Sequence, residues 1–154
     1  MTEKISPLAP FRHETFRAIW TANLASNFGS LIQGVGAAWM MTTISDSADM
    51  VALVQASAAL PIMLFSIAAG AIADNFNRRD VMLTAQSLMF IVSIGLAVTT
   101  YLGVITPWLL LAFTFLIGCG TALNNPSWQA AVGDMVPRDD LPAAVALNSM
   151  GFNL

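Results

Sequence analysis

Three runs of the sequence contain no Asp, Glu, Lys, Arg or His: residues 18–45, 50–73 and 81–133, with 28, 24 and 53 residues. A bilayer core takes about 20 residues of helix, so each of the first two runs predicts one spanning helix. The third, drawn as one rod, would reach roughly 80 Å at about 1.5 Å per residue and must turn back once. Residues Gly103 to Pro107 (GVITP) supply the break, because glycine ends helices and proline suits a first helical turn. Four spans result, at about 17–44, 50–73, 81–102 and 107–133. The expected fold is all-α, a polytopic transmembrane helical bundle. Composition agrees: 56% of the residues are hydrophobic and only 10% charged, with a mean hydropathy of +0.70, against about 25% charged in soluble domains.

The first run is too long for the apolar core of a cleaved signal peptide and reads as an uncleaved anchor. One cysteine, Cys119, excludes an internal disulfide and a cysteine metal site, and fits a small buried thiol. Orientation follows from six basic residues. Lys4, Arg12 and Arg17 precede the first span, Arg78 and Arg79 lie between the second and third, and Arg138 follows the fourth. The opposite loops, SDSAD (45–49) and GVITP, hold none. Basic residues in short loops mark the cytoplasmic side, which places residues 1–16 as a cytoplasmic segment of a multi-pass protein in the inner (plasma) membrane.

The loop between the second and third spans has its own pattern, GAIADNFNRRD (70–80). Asp74 falls at the C-terminal end of a helix, where the macrodipole disfavours a carboxylate by about 0.3–1 kcal/mol. A compensating partner is expected, either Arg78 or Arg79 or the N-terminus of a packed helix. Gly70, one turn earlier on the same face, lets such a neighbour approach. Asp80 is placed to cap the third helix.

Gly70, Asp74, Arg78 and Arg79 resemble the G-x-x-x-D-x-x-G-R-R/K signature of the major facilitator superfamily of secondary transporters, in spacing and in topological position. Two positions depart: Asn75 stands where a basic residue is usual, and Asn77 replaces the turn glycine. Asn tolerates the left-handed conformation, so the turn is expected to persist at Asn77, while Asn75 removes one charge from the usual network. The stretches FRHETFRAIWTANLASNFGS (11–30) and ALNNPSWQAAVGDMVPRDDLPAAVALNS (122–149) resemble the first helix and the fourth-to-fifth helix region of the exporter branch related to enterobactin efflux proteins. The resemblance implies alternating access, with Asp74 bracing the cytoplasmic side against a helix of the other half, and Asp74 and Arg78 forming a charge switch.

Within the spans, Ala22, Ser26, Ser30, Gly34 and Ala38 recur every fourth residue and predict a stripe for close helix packing; Ser66 and Gly70 repeat the spacing. The amides Asn23, Asn27, Gln33, Gln55, Gln86, Asn124, Asn125 and Gln129 must face other helices or a water-filled cavity. Asn27, Gln33, Gln55, Asn124 and Asn125 are candidates for a polar pathway. Pro126 is expected to interrupt the fourth helix. No Asp, Glu, Lys, Arg or His lies within the three charge-free runs, so no proton carrier is visible, and the arginine that proton-coupled drug exporters of the superfamily carry in the fourth helix is absent. His13 reads as an exposed loop residue. Trp20, Trp39, Trp108 and Trp128 read as interfacial anchors near helix ends, and the nine methionines form no metal cluster.

From Leu141 a fifth helix begins, too short here to cross. Residues 17–154 thus read as an incomplete N-terminal half of a twelve-helix transporter, a truncated product or partial sequence. The expected activity is secondary active efflux of small molecules such as a siderophore, drug or metabolite. Its partners are the lipid bilayer, a small-molecule substrate and the missing C-terminal half; no cofactor, metal or nucleic acid is called for. Two other readings compete. One is a non-transporting four-helix membrane subunit. The other is a dimeric transporter of the small multidrug resistance type, which the missing membrane-embedded glutamate disfavours. An intramembrane enzyme lacks a base to activate any serine in the spans.

Overall fold

A computed structural model describes residues 7–153, with side chains up to Gly151. Lys4 lies outside the described residues. A short 3₁₀ turn, Ala9–Arg12, is followed by five helices: α1 (Glu14–Ile44), α2 (Ala48–Asn75), α3 (Arg78–Tyr101), α4 (Pro107–Met135) and α5 (Leu141–Asn153). No strand occurs among the described residues.

Local chemistry sets most boundaries. The α3 helix ends in a Schellman motif: Gly103 adopts φ +68°, its N–H reaches the Thr100 carbonyl at 3.1 Å, and the Val104 N–H reaches Thr99 at 3.1 Å. Only glycine takes this conformation without steric cost. Pro107 opens α4 as expected. Inside α4, however, Pro126 does not end the helix, which runs on to Met135. A second interior proline, Pro61 in α2, carries no sequence signal of a break either. Membrane helices tolerate such residues because neighbouring helices and hydroxyl side chains satisfy the freed backbone groups.

Three helices, α2, α3 and α4, are long and apolar enough to cross a membrane. The first expected span, 17–44, lies within α1, which has the length, 31 residues, but is not among those three. Absence of charge overstated its apolarity, since amides, glycines and serines dilute the run.

The chain divides into two compact units, one of residues up to Leu31 with Gln129 onward, the other Ile32–Trp128. In the second unit, α4 packs closely on both α2 and α3. A Cβ added at Gly118 would lie 2.7 Å from the Ala58 carbonyl oxygen and 2.9 Å from Pro61 Cγ, and one at Gly120 would overlap Met89 Cγ. Small residues allow this approach, and dispersion contacts reward it where the hydrophobic effect cannot. At one end of the unit, Ala37, Met41, Val54, Leu110 and Leu111 form a buried cluster. Trp128, expected at an interface, is completely buried, whereas Trp39 and Trp108 are exposed as interfacial residues are.

In the first unit the segment before α1 is structured. Pro10 and Phe16 are buried, and the Phe11 ring stacks edge-on against Trp20, centroids 5.1 Å apart. His13 is not a free loop residue: its Nε2 lies 2.9 Å from the Asp140 carboxylate, immediately before α5. The Trp20 indole N–H donates to the Leu147 carbonyl at 3.3 Å, and the Asn27 amide donates to Gly151 at 3.3 Å. Residues 13, 20 and 27 are seven apart, two helical turns, and meet α5 in rising order, so α1 and α5 run parallel along this seam.

Candidate functional site

The signature loop is built by two helix ends. α2 stops at Asn75, with Phe76 extended and its N–H bonded to the Ile72 carbonyl at 3.0 Å. The Asn75 side chain folds back to donate to the Ala71 carbonyl at 2.7 Å. Asn77 does not adopt the expected left-handed conformation; it is extended, φ −62° and ψ 116°, and its side-chain oxygen accepts from the Arg79 N–H at 3.0 Å as the N-cap of α3. Asn77 therefore takes the capping role expected of Asp80, which lies within the first turn. An asparagine in extended backbone is a strong N-cap, so the loop closes without the glycine of the usual signature.

This geometry leaves Asp74 exposed on the last turn of α2, with Arg79 exposed and Arg78 half-buried. No ion pair reaches the Asp74 carboxylate among the described residues. Gly70 is half-buried, and a Cβ there would meet nothing within 4 Å. Beside the loop lies an open cleft of about 390 Å³, walled by Ile72, Phe76, Val81 and Leu123, with Asn77, Asp80 and Thr84 as its polar residues. Gly70 and Asp74 share one face of α2, while the cleft is walled by Ile72 and Phe76 of another face.

The five pathway candidates separate by their surroundings. Asn27 is bonded to Gly151. Asn124, buried, accepts from the Gln86 amide at 3.4 Å. Asn125 is half-buried and Gln55 exposed. Gln33 differs from these: its Nε2 is buried without a hydrogen-bond partner.

Of the α1 stripe, Ala22 and Ser30 are exposed, and Ser26, Gly34 and Ala38 half-buried. Open space surrounds the Cβ position of Gly34. Close contacts are made by Gly118 and Gly120 of α4, in GCGTA, two glycines two residues apart that a four-residue spacing does not reveal. The His13–Asp140 contact spans 127 residues and has no local signal in the sequence.

Long apolar helices packed through glycine, with charged loops at their ends, define a multi-pass helical membrane protein. The chain belongs to the transmembrane secretion effector family of major facilitator transporters, whose model matches residues 5–154. It is similar to the staphyloferrin A transporter of Staphylococcus aureus (strain NCTC 8325 / PS 47), 28% identical over 127 residues, covering 82% of this chain and 32% of that protein. Macrolide efflux protein A of Streptococcus pyogenes is 23% identical over 126 residues, covering 82% of this chain and 31% of the relative. The chain therefore spans about a third of the length of the curated relatives it matches. No solved structure matches it.

Proposed function

We propose that this chain forms part of the N-terminal half of an exporter that moves small molecules across the plasma membrane by alternating access, with its N-terminus in the cytoplasm. The observation that carries the reading is the family match along almost the whole chain. The signature loop adds a mechanism. Asp74 sits at the negative end of the α2 dipole, exposed, next to an open glycine. A carboxylate there is stabilised when the positive N-terminus of another helix docks on it. In the complete transporter that helix comes from the second half and closes the cytoplasmic side; as the halves rock, Asp74 releases it and Arg78 takes up the carboxylate. Siderophores, drugs and other amphipathic metabolites are the substrate classes, in keeping with the relatives' names.

The test uses the full-length protein in cells that lack other exporters of the probe. Efflux of a labelled macrolide and of staphyloferrin A is compared between wild type and Asp74→Asn, at equal amounts in the membrane. The neutral side chain forfeits the charge–dipole attraction of the closed state, and at least a tenfold drop in export of the transported probe is expected. Export by Asp74→Asn at the wild-type rate would remove Asp74 from the gate, and a wild type that moves neither probe would count against efflux of these substrate classes.

A further inference from the structure

Gln33 poses a question that helix packing does not answer. A buried amide nitrogen without a partner forfeits the hydrogen bond it would make in water, and its burial keeps water from making up the loss. Native structures keep few such groups, and each requires a reason. The other pathway candidates show that this chain can satisfy its amides: Asn27 donates to a backbone carbonyl and Asn124 accepts from Gln86. Gln33 alone among the five has a buried donor with nothing to bond.

Its position on α1 supplies a way out. Gly34 follows it, and Gly36 lies one turn further along the same side of the helix. A Cβ at either glycine would meet no atom within 4 Å. A glutamine has three rotatable side-chain bonds with staggered alternatives of similar energy, and no other side chain crowds the Cβ positions of the two glycines beside it. The low apolarity of α1 fits the same picture, because a helix bordering a water-filled passage need not be as apolar as one facing lipid.

Resting on the transport reading above, we infer that Gln33 is the substrate-binding amide of α1: its side chain swings into the passage and donates to an oxygen acceptor, a carbonyl, carboxylate or hydroxyl, of the transported molecule. The unsatisfied donor keeps the resting arrangement from being too stable, so the substrate gains a hydrogen bond that the free protein does not already make. A glutamine amide donates to neutral and anionic oxygen alike, which suits oxygen-rich substrates. Gln33 contributes to affinity, and Asp74 to the rate of the conformational cycle.

Two measurements on the full-length protein test this separately from transport itself. The first replaces Cys119 by Ala and Gln33 by Cys, and follows labelling by a water-soluble maleimide in membranes, with and without a macrolide or staphyloferrin A. Labelling that slows at least threefold when one of these compounds is present is expected; no labelling, or labelling that neither compound changes, overturns the proposal whether or not the protein transports. The second compares Gln33→Leu and Gln33→Glu with wild type for the probe that is exported. For Gln33→Leu, KM is expected to rise about two- to tenfold, the worth of one hydrogen bond to a neutral acceptor, with little change in the maximal rate. Gln33→Glu, which loses the donor and adds a charge, is expected to discriminate against an anionic probe. An unchanged KM in Gln33→Leu overturns the proposal while leaving the export reading standing.

Discussion

Helices α2 and α4 are nearly equal in length, 28 and 29 residues, and each carries a proline in its interior. Their surroundings differ sharply. In α4, 44% of the most apolar stretch is buried, while in α2 only 11% is. The difference lies in which residues stand on the faces. α4 offers Gly118 to α2 and Gly120 to α3, so two neighbours close on it. α2 presents Met63, Leu64, Phe65 and Ile67 outward, and a glycine, Gly70, with nothing against it. Apolarity alone does not make a helix central in a membrane protein, because lipid solvates leucine as well as protein does. Small side chains decide which helix others approach, and large exposed ones mark faces left to lipid or to further helices.

The comparison breaks most readily at Gly118. A methyl group there meets a backbone carbonyl, which cannot rotate away, so Gly118→Ala forces α2 and α4 apart. The expected loss is about 3 kcal/mol, the upper end for overpacking, read as a lowered unfolding midpoint in detergent. An unchanged midpoint would show that the glycine contact is not what holds the pair. A smaller effect is expected at the turn linking α2 to α3. Asn77→Ala removes the N-cap of α3 and should cost about 1 kcal/mol, with Asn77→Gly within a few tenths of wild type; equal losses in both would assign Asn77 another role. The smallest effect belongs to Ile67, 88% exposed. Ile67→Ala should change stability by no more than about 0.5 kcal/mol if lipid covers this face. A loss of about 2 kcal/mol or more in the full-length protein would instead reveal a helix packed there.

Much of the helical layout was readable in advance. Charge-free length and the GVITP break predict helices that agree with the observed ones to within a few residues, because backbone groups in hydrocarbon must bond internally and leave no alternative to helix. The place of the charged loop between the second and third helices was legible as well. The loop's conformation was not, since an Asn in that position can enter the left-handed region or cap the next helix, and only the path into α3 selects the cap. His13 and Trp128 were misplaced for a related reason. Sequence position near a helix end cannot reveal that Asp140 returns beside His13, or that α4 is enclosed at Trp128.

The sequence by itself determined a membrane-spanning, all-helical chain with a charged loop between its second and third spans, because the penalty for charge in hydrocarbon acts residue by residue. Tertiary structure alone decided which glycines serve as contact points, which amide is left without a partner and which helix becomes central. Those outcomes depend on the distance between surfaces far apart in the chain, and a few tenths of an ångström at Gly118 or Gly120 separate close packing from collision.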